Sequence, residues 1–198
     1  MSGGSFTDFG ELVLIIGDFH VPFKQPDIPA VFKELLNTDK IKTVLCTGNV
    51  CSMEIVDRLR AIAPNVHIVR GDLDQQVPDL PDSANVTVGH FKVGLVHGHQ
   101  IVPHGNHAAL EAVQRKMDAD ILVCGHTHKN EIYQNVSGKF FINPGSVTGV
   151  NSSVPSFMLM AVQGPSAAIY VYELVEGKAN VAMSEIRKDV LAPELAGK

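Results

Sequence analysis

Short apolar runs alternate with stretches of helical spacing through the first two thirds of the chain, and the remainder reads almost entirely as strand. Leu12–Gly17 is apolar nearly throughout, which predicts a strand buried on both faces. Asp27 as N-cap and Pro29 in the first turn predict a helix over Ile28–Leu36, whose apolar residues recur three and four apart. The same reading predicts strands at Ile41–Cys46, Val66–Val69 and Ile121–Cys124, and helices at Met53–Ile62 and Asn106–Met117. Asn85–His90 and Phe91–His97 read as two strands joined by a tight turn at Gly89. Beyond Glu131 the predicted strands are Ile132–Val136, Phe140–Asn143, Ser156–Val162, Ala168–Leu174 and Ala179–Ile186. Strand–helix–strand units followed by antiparallel strands imply an α/β fold, a two-sheet β-sandwich flanked by helices.

Five of these strands end in a small polar motif: Gly17-Asp18-Phe19-His20, Gly48-Asn49, Gly71-Asp72-Leu73-Asp74, His97-Gly98-His99-Gln100 and Gly125-His126-Thr127-His128. Ligands of open α/β sheets collect outside the carboxyl ends of the strands, so motifs spread over a hundred residues can converge on one crevice. Any one of them alone is commonly just a turn, and it is their joint order that points to a site. Asp18, His20, Asn49, Asp72, His97, His126 and His128 are the candidate ligands. Oxygen and imidazole donors without thiolate suit Mn, Zn or Fe. One ion needs about three or four ligands, so the set is large enough for two, the arrangement that polarises phosphate esters and activates water. His67 lies inside a predicted strand and His90 flanks a turn, whereas His99, His104 and His107 read as surface or supporting residues.

Composition narrows the function classes. Of 198 residues, 45% are hydrophobic and 19% charged, an ordinary globular balance. A net charge of −5 without a basic cluster argues against nucleic-acid or direct membrane binding. Cys46, Cys51 and Cys124 form no CxxC pair and read as reduced cytosolic thiols. Residues 1–11 read as a flexible extension without signal-peptide character, 12–188 as one domain and 189–198 as a tail.

The order of motifs resembles the calcineurin-like metallophosphoesterases, from about Leu12 to Ile186. The resemblance implies that Asp18, His20 and His128 hold one ion, that His97, His126 and Asp72 hold the other, and that Asn49 stands at the bridging position. Two departures follow from it. The bridge is usually Asp and position 72 usually Asn, so a neutral amide replaces the carboxylate between the ions. Two divalent ions about 3.5 Å apart repel by roughly 19 kcal/mol at an effective dielectric of about 20. Weak or partial, unequal occupancy is therefore expected. Leu73 stands where many members carry a His, and a general acid typically supplies about 10²–10⁴-fold in rate, ~3–5 kcal/mol.

LCTGN, VHIVRGD, HGHQ, DILVCGHTHK, INPGS and VPSF resemble a branch of the family that serves as a non-catalytic binding subunit of the retromer coat. By that resemblance the partner is the coat's helical-solenoid scaffold subunit, in endosome-to-Golgi and recycling transport. The location would be cytoplasmic, on endosomal membranes only through the complex. Ile101, Val102 and Pro103, apolar at the crevice rim, are the expected scaffold contacts. Leu12, Leu35, Tyr170 and Tyr172 are the expected apolar surface for accessory regulators. The alternative is an active metal-dependent phosphodiesterase or phosphoprotein phosphatase.

Overall fold

The computed structural model describes residues 10–188. The first sheet has strand order β11-β10-β9-β1-β2-β3: β1 (Glu11–Ile16), β2 (Ile41–Cys46), β3 (Asn65–Ile68), β9 (Ser156–Gln163), β10 (Ser166–Val175) and β11 (Lys178–Arg187). The second has order β4-β5-β6-β8-β7: β4 (Ser83–Val88), β5 (Phe91–Val96), β6 (Ile121–Cys124), β7 (Asn130–Gln134) and β8 (Phe140–Pro144). Helices α1 (Ala30–Leu36) and α2 (Met53–Ile62) cover the outside of the first sheet, and α3 (His107–Lys116) covers the second. The expected two-sheet sandwich flanked by helices is what forms.

Successive side chains of a strand point to opposite faces, and β1 uses both. Val13 and Ile15 join the core between the sheets, with Leu95, Val123 and Met158. Leu14 and Ile16 join the core under α1 and α2, with Phe32, Ile55 and Leu59. In that outer core Phe32 meets Phe157 edge to face at 4.8 Å, a contact worth about 1 kcal/mol beyond its area. β1, β2 and β3 run parallel, as do β5 and β6, so all five carboxyl ends open on one side.

Several expectations about elements need correction; β4, for one, begins and ends two residues earlier than expected. Asp27 does not cap α1: the cap position is Pro29, with no side-chain cap bond. Asp27 instead accepts from Ile28 N–H and pairs with Lys33 and Arg58, tying α1 to α2 and holding its carboxyl down at about 2, the hydrogen bonds outweighing partial burial. β7 starts two residues earlier than expected, leaving Val136 on the hairpin turn, 98% exposed. β1 includes Glu11, whose carboxylate accepts from Thr43 Oγ1 at 2.8 Å. Apart from Gly10 and Glu11, the expected extension 1–11 lies outside the described residues, as does the expected tail.

Candidate metal centre

The loops leaving the five parallel strand ends carry residues in the left-handed region: Asp18 (φ 51°), His20 (53°), Asn49 (52°), His126 (69°) and His128 (59°). A side chain there costs energy, and the conformation persists only where the surroundings enforce it. Gly125 lets two of these loops meet. A Cβ on it would lie 2.5 Å from Thr47 Oγ1 and 2.8 Å from Asp18 Oδ2. Gly71 likewise yields to Asn49 Oδ1.

Two groups of donor atoms result, each within 4.8 Å: Asp18 with His20 and His128, and Asp72 with His97 and His126. In the first, His20 and His128 Nε2 lie 3.5 and 3.4 Å from Asp18 Oδ1. Asp18 is fully buried. Burial pushes its carboxyl up, but hydrogen bonds from His128 and His20 and the charge of His97 more than offset this and hold it well below the carboxylate range. In the second group His97 Nε2 lies 3.1 Å and His126 Nδ1 3.8 Å from Asp72 Oδ1, and Asp72 is 39% exposed. Its carboxyl is also lowered: the Asn49 hydrogen bond and the charges of His97 and His126 outweigh partial burial.

The donor chemistry fits a divalent cation at each group. His97 shows the arrangement most plainly: Nδ1 meets the Thr47 carbonyl at 2.7 Å, which leaves Nε2 for an ion. Asn49 does not fit the bridging role as it stands. Its Oδ1 accepts from Leu73 N–H at 2.9 Å, and its Nδ2 faces Asp72 Oδ1 (2.9 Å), Asp18 Oδ1 (3.3 Å) and His97 Nε2 (3.2 Å). A carboxamide nitrogen is a donor, not a ligand. Bridging two ions through Oδ1 would turn the amide over and set Nδ2 against the Leu73 N–H.

Several supporting residues lay outside the expected set. Asp74 is buried and accepts from the N–H groups of Asn49 (2.7 Å), Gly71 (2.8 Å) and Cys51 (2.8 Å), pinning β2 and β3 loops together. Its place in the Gly-Asp-Leu-Asp motif was the available signal. Ser146 and Thr148 donate to the carbonyls of Asp18 and Phe19 at 2.8 Å, and Asn143 donates to Gly125 O and Thr127 Oγ1. His104, expected as a surface or supporting residue, packs its ring 4.5 Å from that of His126, with Nδ1 against Ile101 O. All three cysteines are buried, burial drives the Cys51 and Cys124 thiols up to about 12, and neither donor group includes a cysteine.

The expected scaffold contacts divide. Ile101 is a core residue, 5% exposed among Val96, Leu110 and Phe141, because it folds back onto α3. Val102 is 75% exposed and Pro103 is exposed beside it. Of the expected accessory surface, Leu35 is 41% exposed, while Leu12, Tyr170 and Tyr172 are half-buried; Tyr172 stacks on Phe157 at 4.7 Å.

Residues 12–164 match the calcineurin-like phosphoesterase superfamily domain. The chain is 39% identical over 186 residues to vacuolar protein sorting-associated protein 29 of Schizosaccharomyces pombe, covering 89% of this chain and 98% of that one. Among solved structures, Vacuolar Protein Sorting 29 from Cryptosporidium parvum is 50% identical with a TM-score of 0.88, covering 91% of this chain and all of the other. The protein from Entamoeba histolytica, solved in complex with zinc, is 48% identical with a TM-score of 0.82, covering 88% and 98%.

Proposed function

From the premise that this chain belongs to the calcineurin-like phosphoesterase superfamily, alongside the vacuolar protein sorting 29 chains, we propose that it works as a non-catalytic binding subunit of the retromer coat. The observation that carries this reading is at the floor of the crevice. Leu73 can neither give nor take a proton, and Asn49 points a donor between the two ligand groups where a hydrolytic centre places a shared anion. The ion-binding shape is retained while two parts of the hydrolytic apparatus are altered. Bound at Asp18, His20 and His128, or at Asp72, His97 and His126, a divalent ion would supply positive charge to the crevice. The protein's own residues would hold the ions, fix the tautomer of His97 through the Thr47 carbonyl and brace the five loops.

The partner is the helical-solenoid scaffold subunit, which docks on the rim of this crevice and covers it. Val102 supports that placement, since it follows the His97 loop directly and exposes 75% of its surface. Leu12, Leu35, Tyr170 and Tyr172, of which Leu35 is exposed and the other three half-buried, are a second apolar surface for accessory regulators. Among the described residues no helix is long and apolar enough to cross a membrane, so endosomal attachment in this reading runs through the complex.

A charge buried in such an interface costs roughly 3–5 kcal/mol, so Val102→Asp should lower scaffold affinity by at least about 100-fold. The melt should stay at the wild-type temperature, because Val102 touches little of the core. Co-purification and calorimetry with the scaffold subunit test this, and retained binding would place the interface elsewhere. The second reading, an active phosphodiesterase or phosphatase, draws on the two intact ligand groups. Turnover of an aryl phosphodiester with Mn²⁺ that disappears in His97→Ala would establish it.

A further inference from the structure

A neutral imidazole that gives one ring nitrogen to an ion carries its proton on the other, so the partner of that other nitrogen selects the tautomer. The candidate histidines differ in this respect. His97 Nδ1 meets the Thr47 carbonyl at 2.7 Å, and His126 turns Nδ1 itself toward Asp72. In the Asp18 group, the Nε2 atoms of His20 and His128 lie 3.3 Å apart and both face Asp18 Oδ1, which makes Nε2 the ligand atom of each ring. Their far sides are unlike. His20 Nδ1 is buried with no hydrogen-bond partner, whereas His128 Nδ1 faces the side-chain Nδ2 of Asn151 at 3.4 Å. Among the described residues, Asn151 is thus the one side chain within hydrogen-bonding reach of the far nitrogen of either imidazole in this group.

The backbone holds Asn151 in an uncommon conformation. It sits at φ 58° and ψ 37° inside the short turn Val150–Ser152, and Asn is one of the few residues besides Gly that enters this left-handed region readily. Its neighbours are anchored. Val150 is buried, its N–H donates to Ser146 Oγ at 3.2 Å, and Ser146 Oγ donates in turn to the Asp18 carbonyl at 2.8 Å. Ser153 Oγ donates to Val150 O at 2.8 Å. The turn is therefore hooked to one ligand group twice, through Ser146 to Asp18 and through Asn151 to His128, and it carries Val150 and Val154 into the crevice wall. The Asn49 amide is held at both ends, but that of Asn151 makes no other side-chain hydrogen bond among the described residues, so it is free to turn over. As placed, Nδ2 donates to Nδ1, which puts the imidazole proton on Nε2, toward Asp18. Turned over, the amide presents Oδ1, which accepts from Nδ1–H. We propose that Asn151 is a positioning residue for the Asp18 group: with an ion bound there, its Oδ1 accepts from His128 Nδ1–H, fixes Nε2 as the ligand atom and ties residues 149–154 of the crevice wall to the ion. The proposal stands on the ion site and not on the binding-subunit reading.

Asn151→Gly removes the amide and spares the backbone, since Gly adopts a positive φ without strain. Loss of the partner of a ligating imidazole typically weakens metal binding about 10–100-fold. Calorimetry with Zn²⁺ should accordingly show the tighter equivalent weakened at least about tenfold in Asn151→Gly, with the second equivalent within about twofold of wild type. The melt of the chelated variant should stay close to wild type. Asn151→Asp, whose ionised oxygens only accept, should restore the tighter equivalent to within about threefold. Imidazole ¹H–¹⁵N NMR separates this hydrogen bond from a general effect of charge. In zinc-loaded wild type the His128 Nδ1–H should be visible as a slowly exchanging proton, and the Val154 amide should shift with the first equivalent. In Asn151→Gly that proton should be lost to exchange with water, and in Asn151→Asp it should return. An unchanged tighter equivalent in Asn151→Gly, a loaded wild type in which His128 carries its proton on Nε2, or an Asp variant as weak as the Gly variant each overturns the proposal. None of these readouts involves a partner, so they are independent of the docking test at Val102.

Discussion

The two ligand groups are built from the same residue types, one aspartate and two histidines, and yet they are different environments. Around Asp18 the group is closed: Asp18 is 0% exposed, His20 2% and His128 12%. Around Asp72 it is open on the carboxylate side, with Asp72 39% exposed over a buried His97. Asp18 also holds up its neighbours, since its Oδ2 accepts from His126 N–H at 3.0 Å and its carbonyl is gripped by Ser146. Asp72 has no comparable structural duty and leans on Asn49. Donor identity therefore sets which ions fit, whereas burial decides how tightly each group is organised and how much of the fold depends on it. Unequal sites follow from packing, over and above the charge argument at Asn49.

The comparison breaks most visibly if Asp18 is dispensable. Asp18→Ala removes one side of a buried carboxylate–imidazole cluster and frees the His126 N–H, so it should destabilise the metal-free protein by about 3 kcal/mol and abolish the tighter zinc isotherm. Urea unfolding with chelator and calorimetry with Zn²⁺ measure the two effects. A smaller effect concerns acid. Because Asp18 is depressed in the folded state, it contributes stability that is fully present above about pH 4 and is lost as pH falls through the folded value. Chelated wild type should lose stability on that acid side, and Asp18→Asn should flatten the decline between about pH 4 and 2.5. Equal slopes would mean that the cluster is not what holds the carboxyl low. The smallest effect is expected at the open group, where Asp72→Ala should change folding stability by less than about 1 kcal/mol while weakening the second zinc equivalent. A loss as large as that of Asp18→Ala would make the two groups equivalent and end the distinction.

Most of the layout is legible in the sequence. The bounds of α2, β2 and β6 follow from apolar spacing alone, because those segments have no competing signal at their ends. The six acidic and imidazole donors were legible because each belongs to a short polar motif just past the end of an apolar strand, and strand ends converge by topology. What the chain text could not convey depended on contacts across the fold. The orientation of the Asn49 amide is set by Leu73 N–H and Asp72, residues on another loop. Ile101 and Val102 are equally apolar neighbours, and only the position of α3 assigns one to the core and the other to the surface. Asp27 looked like a cap because it precedes a helix and a proline, but two cations from different turns compete for it.

The ligands of each group come from both sheets. Asp18, His20 and Asp72 leave the first sheet, and His97, His126 and His128 leave the second. An ion at either group would therefore act as a clasp across the sandwich. Binding that is confined to the folded state adds RT ln(1 + [L]/Kd) to stability, about 2.7 kcal/mol when the free ion stands at 100 times its dissociation constant. The melting temperature of this chain then becomes a gauge of the metal supply around it, and a cell that withholds the ion would loosen the seam between the two sheets.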